Sequence, residues 1–162
     1  MNVANPQFAR IETANVSGEQ TRLLRQLEHV LDVFWLKRDS KLIDETIAQG
    51  ARFYIDHDTE PMSFEAYAEI MEQYSLQVEF SRITVADFGQ LAPNRCVARL
   101  AIDGRIITLD KRHTLYVTKY ASFEDGRLTE ARYMVDRYNW LVGLGALPDD
   151  AYFMSLSGAR FE

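Results

Sequence analysis

The chain reads as an α+β protein, and three observations predict it. Apolar residues recur at three- and four-residue steps through the first part of the sequence, the spacing of one helix face. From Val78 onward the period drops to two, the spacing of half-buried strands. Turn-forming pairs, Asp103-Gly104 and Asp125-Gly126, then divide that second part. Helices first and a run of antiparallel strands afterwards is an α+β plan rather than an alternating one.

Residues 1–16 are expected to form a flexible arm. Ser17-Gly-Glu-Gln20 has the spacing of a capping box, in which hydroxyl and amide satisfy each other's backbone donors. Leu23, Leu24, Leu27, Val30, Leu31 and Phe34 follow as the stripe of an amphipathic helix. Asp39-Ser40 predicts the cap of a second helix through Leu42, Ile43 and Ile47, stopped by Gly50. Phe53 to His57 reads as a short strand, and Pro61 and Ser63 open a third helix with the stripe Phe64, Tyr67, Ile70, Met71, Tyr74. Val78 to Val85 is a strand, Gly89–Asn94 a loop, and Arg95–Ile102 a strand turning at Asp103-Gly104. Arg105–Leu109 and Leu115–Phe123 continue the sheet. Asp125-Gly126 is the strongest hairpin signal, since both central residues of a type I′ turn need positive φ, and Leu128–Val135 is its second arm. Residues 17–150 form one domain, and 151–162 a tail read as coil or an extra edge strand.

The bulk properties narrow the function. A chain of 162 residues buries about two-thirds of its unfolded surface as one domain. Nine Phe, eight Tyr and two Trp are enough to fill a core and also to line a cavity or an interface. A net charge of -6, with basic residues diluted among acids, argues against nucleic acid and against an anionic membrane as partners. Cys96 is the single cysteine, so no intrachain disulfide is possible, and its apolar neighbours suggest a buried strand thiol. Met1 to Val16 lacks the pattern of an ordinary signal peptide, and no run is long enough to cross a membrane. A cytoplasmic protein is expected.

Phe123, Gly126, Arg127, Leu128, Glu130, Asp136 and Leu144-Gly145 form an aromatic-x-acidic-Gly-basic-aliphatic hairpin with a later Asp and a closing Leu-Gly. This stretch resembles the last hairpin of SnoaL-like polyketide cyclases, within the nuclear transport factor 2-like superfamily. Arg132 departs from it, standing where the family has an aromatic. The resemblance implies a cone-like curved antiparallel sheet with three N-terminal-half helices on one face. It also implies a cofactor-free cyclase, isomerase or dehydratase (a lyase) acting on a small apolar carbonyl compound. The alternative on the same fold is a non-catalytic small-molecule-binding or assembly module. A third reading, the small subunit of a ring-hydroxylating oxygenase, would need an iron-containing partner.

Under the resemblance Asp136 is the carboxylate acid/base, in an aromatic neighbourhood of Tyr133, Tyr138 and Trp140. As a structural residue it would instead cap the segment that starts near Trp140. Asp56 lies near the place of the base in ketosteroid isomerases, another branch of the superfamily. His57 would be a further proton carrier. Read structurally, Asp56-His-Asp58 is a polar turn before the Pro61 helix. Tyr54, Arg132, Tyr133 and Trp140 are the candidate substrate-binding residues. Thr118 stands near the place of the isomerases' second acid, and the first helix has no mid-helix Tyr, which disfavours steroid isomerisation. His29, His57 and His113 show no ligand spacing, so no metal is expected, and the resemblance implies that no cofactor is needed.

On Leu115–Phe123 one face carries Leu115, Val117, Ala121 and Phe123 with Lys119 as the exception, and the other carries Tyr116, Thr118 and Tyr120. Both faces are too apolar or aromatic to leave one wet, which predicts a homodimer through the open face of the sheet.

Overall fold

The computed structural model describes residues 10–13, 21–37 and 40–157. Strand β1 (Arg10–Thr13) comes first, then helix α1 (Thr21–Leu31) and a π-helical segment, Asp32–Lys37. Helix α2 (Ser40–Thr46) and strand β2 (Ile47–Ile55) precede helix α3 (Phe64–Gln77). Strands β3 (Val78–Ala92), β4 (Arg95–Ile106), β5 (Lys111–Glu124) and β6 (Arg127–Val135) follow, then short helices α4 (Arg137–Gly143) and α5 (Ala151–Leu156). The six strands form one sheet ordered β1-β3-β4-β5-β6-β2. β3 to β6 are an antiparallel meander, while β1 and β2 join the two edges in parallel.

The α+β plan holds, and several boundaries move for physical reasons. The predicted arm contributes Arg10–Thr13 as β1, paired with Arg82–Val85 of β3. The predicted capping box of residues 17–20, like Asp39, lies outside the described residues. The second helix ends at Thr46, not at Gly50, because Ile47 already pairs with Leu128 of β6. Gly50 sits inside β2 at φ +75°, within the register irregularity between Ile47 and Arg52, where only glycine adopts the backbone cheaply. The predicted Phe53–His57 strand is thus longer and earlier. The predicted loop Gly89–Asn94 is mostly strand, with the reversal confined to Pro93-Asn94 between β3 and β4. Asp103-Gly104 is no turn either: β4 runs straight through it to Ile106. The tail residues Ala151–Leu156 form a helix rather than coil or strand. It packs on α4, where the Tyr138 hydroxyl accepts from the Tyr152 amide and donates to the Asp149 carbonyl.

The core lies between the helices and one face of the sheet. Leu23, Leu24, Leu27, Val30 and Leu31 of α1 are all buried, as their stripe requires. The wider π turn then carries both Phe34 and Trp35 against the core, their rings edge to face at 5.9 Å. Ser63 caps α3, its hydroxyl accepting from the Ala66 amide. α3 in turn buries Tyr67, which stacks on Phe53 at 4.8 Å and on Tyr133 at 4.8 Å. Aromatic pairs at this spacing each add about 0.5–1.5 kcal/mol beyond the area they bury. At the last hairpin Asp125 (φ +48°) and Gly126 (φ +82°) both take the left-handed region, as a type I′ turn requires.

Candidate functional site

The pleat of the meander sorts side chains into two environments. Ile83, Val85, Cys96, Ala98, Leu100, Ile102, Leu115, Val117, Lys119 and Ala121 point to the helices and are buried. Their neighbours form the outer face, where Arg82 binds Asp103 and Arg99 binds Asp87.

Between sheet and helices lies a cavity walled by Trp35, Ile55, Tyr67, Met71, Tyr74, Phe80, Leu100, Ile102, Leu115, Val117, Tyr133 and Val135. Its volume is about 30 Å³. That is room for about two water molecules, whereas pockets for small ligands run to about 300–1,000 Å³. Met71, Tyr74, Phe80 and Val135 are only half-buried, so this end is the mouth. Widening this end takes movement of these side chains, and the unbranched Met71 is the easiest to move. Trp35 supplies an indole N–H buried without a hydrogen-bond partner among the described residues, and Tyr67 a buried hydroxyl whose one polar neighbour of note is the Tyr133 phenol. Burial foremost, and the neighbouring Tyr133 phenol next, push the Tyr67 hydroxyl well above its usual range, so it stays protonated.

The sequence-predicted residues fall into three places. Tyr133 lines the cavity, and Trp140 stands behind it, edge to face with Tyr74 at 5.2 Å. Asp136 directly follows the cavity residue Val135 but is exposed, and it caps α4 by accepting from the Asn139 amide at 3.0 Å. Asp56, at φ +52°, accepts from the Val135 amide at 2.8 Å and from the Arg137 guanidinium, tying the end of β2 to the start of α4. The structure thus brings Asp56 beside Asp136 through Val135 and Arg137, while His57 is exposed in the turn. Tyr54 and Arg132 are paired on the outer face, with the guanidinium 4.3 Å from the ring centre. Arg132 also donates to the carbonyls of Asp56 and Asp58, so it holds the turn instead of facing the cavity.

His113 sits at the same end as Asp136, its ring packed flat against Gly143 and 6.4 Å from Trp140. Burial and the nearby Lys111 lower its pKa, while the charge of Asp136 works the other way. Cys96 is a buried thiol pushed up to about 11 by desolvation, which makes it inert as a nucleophile at neutral pH. No group of three or more His, Cys, Asp or Glu able to hold a metal occurs among the described residues. None of the described helices is long and apolar enough to cross a membrane.

Sequence reasoning did not single out Lys119 as a site residue. It and Thr46 are the buried polar or charged side chains among the described residues. Its signal was a lysine in the middle of an otherwise apolar strand face.

No family model matches the sequence, and no curated protein matches it. Solved structures do. AclR from Streptomyces galilaeus, a proposed hydroxylase, superposes with a TM-score of 0.70 at 16% identity, covering 86% of this chain and 91% of that one. IdmH from Streptomyces antibioticus, a proposed polyketide cyclase, gives 0.65 at 16% identity over 76% and 98%. An LEH-like epoxide hydrolase from M. tuberculosis gives 0.59 at 17% identity over 87% and 99%. At these identities the likeness is one of fold. The chain has the nuclear transport factor 2-like fold, shared with SnoaL-like cyclases, isomerases and epoxide hydrolases.

Proposed function

We propose that the protein is a cofactor-free enzyme of the cyclase, isomerase or dehydratase kind, acting on a small apolar carbonyl compound held between sheet and helices. The observation that carries the reading is the cavity itself, walled by apolar and aromatic side chains with the buried Tyr67 hydroxyl and the unpartnered Trp35 N–H among its wall residues. Fold neighbours described as a proposed polyketide cyclase and an epoxide hydrolase share the architecture, which supports an enzyme of this kind. Asp136 is the candidate acid/base because it follows Val135 at the mouth. To act there its carboxylate leaves the Asn139 amide and turns toward the bound compound.

Asp136→Asn tests this cleanly, since Asn caps a helix about as well as Asp and the fold is kept. Turnover of a ketone that the wild type converts is expected to fall about a hundredfold or more, the usual worth of a general acid or base. Activity retained within about tenfold removes Asp136 from the chemistry. The second reading, a binding module without catalysis, is favoured by one observation: the Asp136 carboxylate is exposed and already occupied as a cap. Under it, ligand binding is the same in wild type and variant and no ketone is converted.

A further inference from the structure

The polar side-chain atoms of the cavity wall come from Trp35, Tyr67, Tyr74 and Tyr133, and the other wall residues are aliphatic, phenyl or thioether. Trp35 and Tyr67, on the helix side, are deeply buried, at 9% and 1% exposure. The Trp35 indole N–H has no hydrogen-bond partner among the described residues, and an indole nitrogen can only donate. Tyr67 stacks on Tyr133 with ring centres 4.8 Å apart and planes 17° from parallel, which makes the two phenols neighbours. Each phenol carries one O–H proton. A bond from one to the other uses a single proton and leaves the second free to donate. Burial keeps the Tyr67 hydroxyl protonated, so no competing anion forms there near neutral pH.

These donors have a fixed place relative to the mouth. Both rings pack on Phe34, Trp35 at 5.9 Å and Tyr67 at 5.4 Å, so they share one stretch of wall. On the facing strand β6, Tyr133 and Val135 both line the cavity, which puts Tyr133 about 6–7 Å deeper than Val135 at the mouth. Asp136 follows Val135 at the rim. Trp35 joins the two levels, meeting the mouth residue Phe80 edge to face at 5.2 Å. An apolar compound with one acceptor oxygen satisfies the donors when that oxygen points inward. Lys119 takes no part: it lies beyond the Tyr133 ring, 4.8 Å from its centre, and no Asp or Glu is buried beside it among the described residues.

We infer that Tyr67 and Trp35 hold the carbonyl oxygen of the bound compound, donating to it from the helix side while the carbon next to the carbonyl faces the Asp136 rim. This rests on the function proposed above and deepens it by giving the ligand a direction and the reaction its electrophilic groups. As the proton passes from that carbon to the Asp136 carboxylate, the C–H electron pair becomes a carbon–carbon double bond and the carbonyl π pair moves onto oxygen. Neutral donors already in place at that oxygen, away from water, stabilise the charge that develops there.

Two probes of the same shape test it, acetophenone isotope-labelled at the carbonyl and α-methylstyrene, in which a methylene group replaces the oxygen. Calorimetric titration gives both affinities, and infrared difference spectra give the carbonyl band of bound acetophenone. In the wild type that band is expected below its position in hexane, the mark of a hydrogen-bonded carbonyl. Tyr67→Phe and Trp35→Phe are each expected to weaken acetophenone about threefold to tenfold relative to α-methylstyrene, the usual worth of one neutral hydrogen bond, and to move the band up toward its hexane position. The ratio of affinities is the readout, so a change of cavity shape, felt by both probes, cancels. Binding of α-methylstyrene also shows that a variant is folded, and the wild-type band reads the contact even where one is not. A wild-type band at the hexane position, or a ratio left unchanged by either substitution, overturns the pair of donors and leaves the cavity standing as the ligand site. Binding of neither probe by the wild type overturns both.

Discussion

Asp-Gly-Arg occurs at residues 103–105 and again at 125–127, and the structure uses the two copies differently. At 125–127 the chain reverses between β5 and β6, with positive φ at Asp125 and Gly126. At 103–105 it runs straight, and the Asp103 carboxylate accepts from Arg82 of β3 at 2.6 Å and from the Thr114 hydroxyl of β5 at 2.6 Å. Glycine is needed at both places for unrelated reasons. A Cβ on Gly104 would stand 2.6 Å from Val78 Cγ1 and 3.0 Å from the Glu79 carbonyl oxygen. A Cβ on Gly126 would meet nothing nearer than Gln26 Nε2 at 3.8 Å, so there the demand is on φ alone. A dipeptide that favours a turn is overruled when both flanks have strand partners, as Ile102 and Ile106 do here.

Substitutions at three positions can break this contrast. The largest effect is expected from Gly104→Ala, at about 3 kcal/mol, the upper end for overpacking, because one obstructing atom is backbone and cannot rotate away. Urea unfolding measures it, and a loss below that of Gly126→Ala would show that β3 and β4 are free to separate. Gly126→Ala comes next, at about 1–2 kcal/mol for a non-glycine residue in the left-handed region. Replacing Gly126 by Asn, which tolerates that region, should recover part of the loss. Any loss in Gly104→Asn at least as large as in Gly104→Ala sharpens the distinction between space and φ. The smallest effect is that of Asp103→Asn, visible mainly in the pH profile. Burial works to raise the Asp103 carboxyl, but the Thr114 hydroxyl and the Arg82 guanidinium outweigh it and hold the group below its usual range. Its contribution is thus fully present above about pH 4 and is lost as pH falls through the lowered value. Thermal melts of the wild type should steepen their decline there, and those of Asp103→Asn should lack that component.

The same competition between local signal and tertiary context explains what the sequence revealed. The α1 stripe from Leu23 to Leu31, the Ser63 cap and the Asp125-Gly126 hairpin were legible because each rests on residues within one turn of each other. Gly50 and Gly104 misled because their meaning depends on β6 and β3, distant in sequence. The same limit applied to the candidate site. Tyr133 was legible only as an aromatic close to Asp136 in sequence, and the structure puts it in the cavity wall. Tyr54 and Arg132 alternate to the outer face, a parity that no residue type announces. Lys119 was visible as an interruption of an apolar face, but the missing counter-charge only appears once the facing strands and helices are assembled.

The parallel edge formed by β2 and β6 has a kinetic consequence. Three hairpins join β3 through β6 with short connections, so each can close locally and quickly. β2 reaches its place only when Arg52 meets Glu130 and Ile55 meets Tyr133, across some seventy-eight positions of intervening chain. Closing that long loop carries a larger entropic barrier, and contacts that depend on it form late. Ile55 and Tyr133 are two walls of the cavity. The pocket is thus among the last features to assemble on folding, and an early intermediate holding only the meander would expose its apolar inner face to other chains before it had anything to bind.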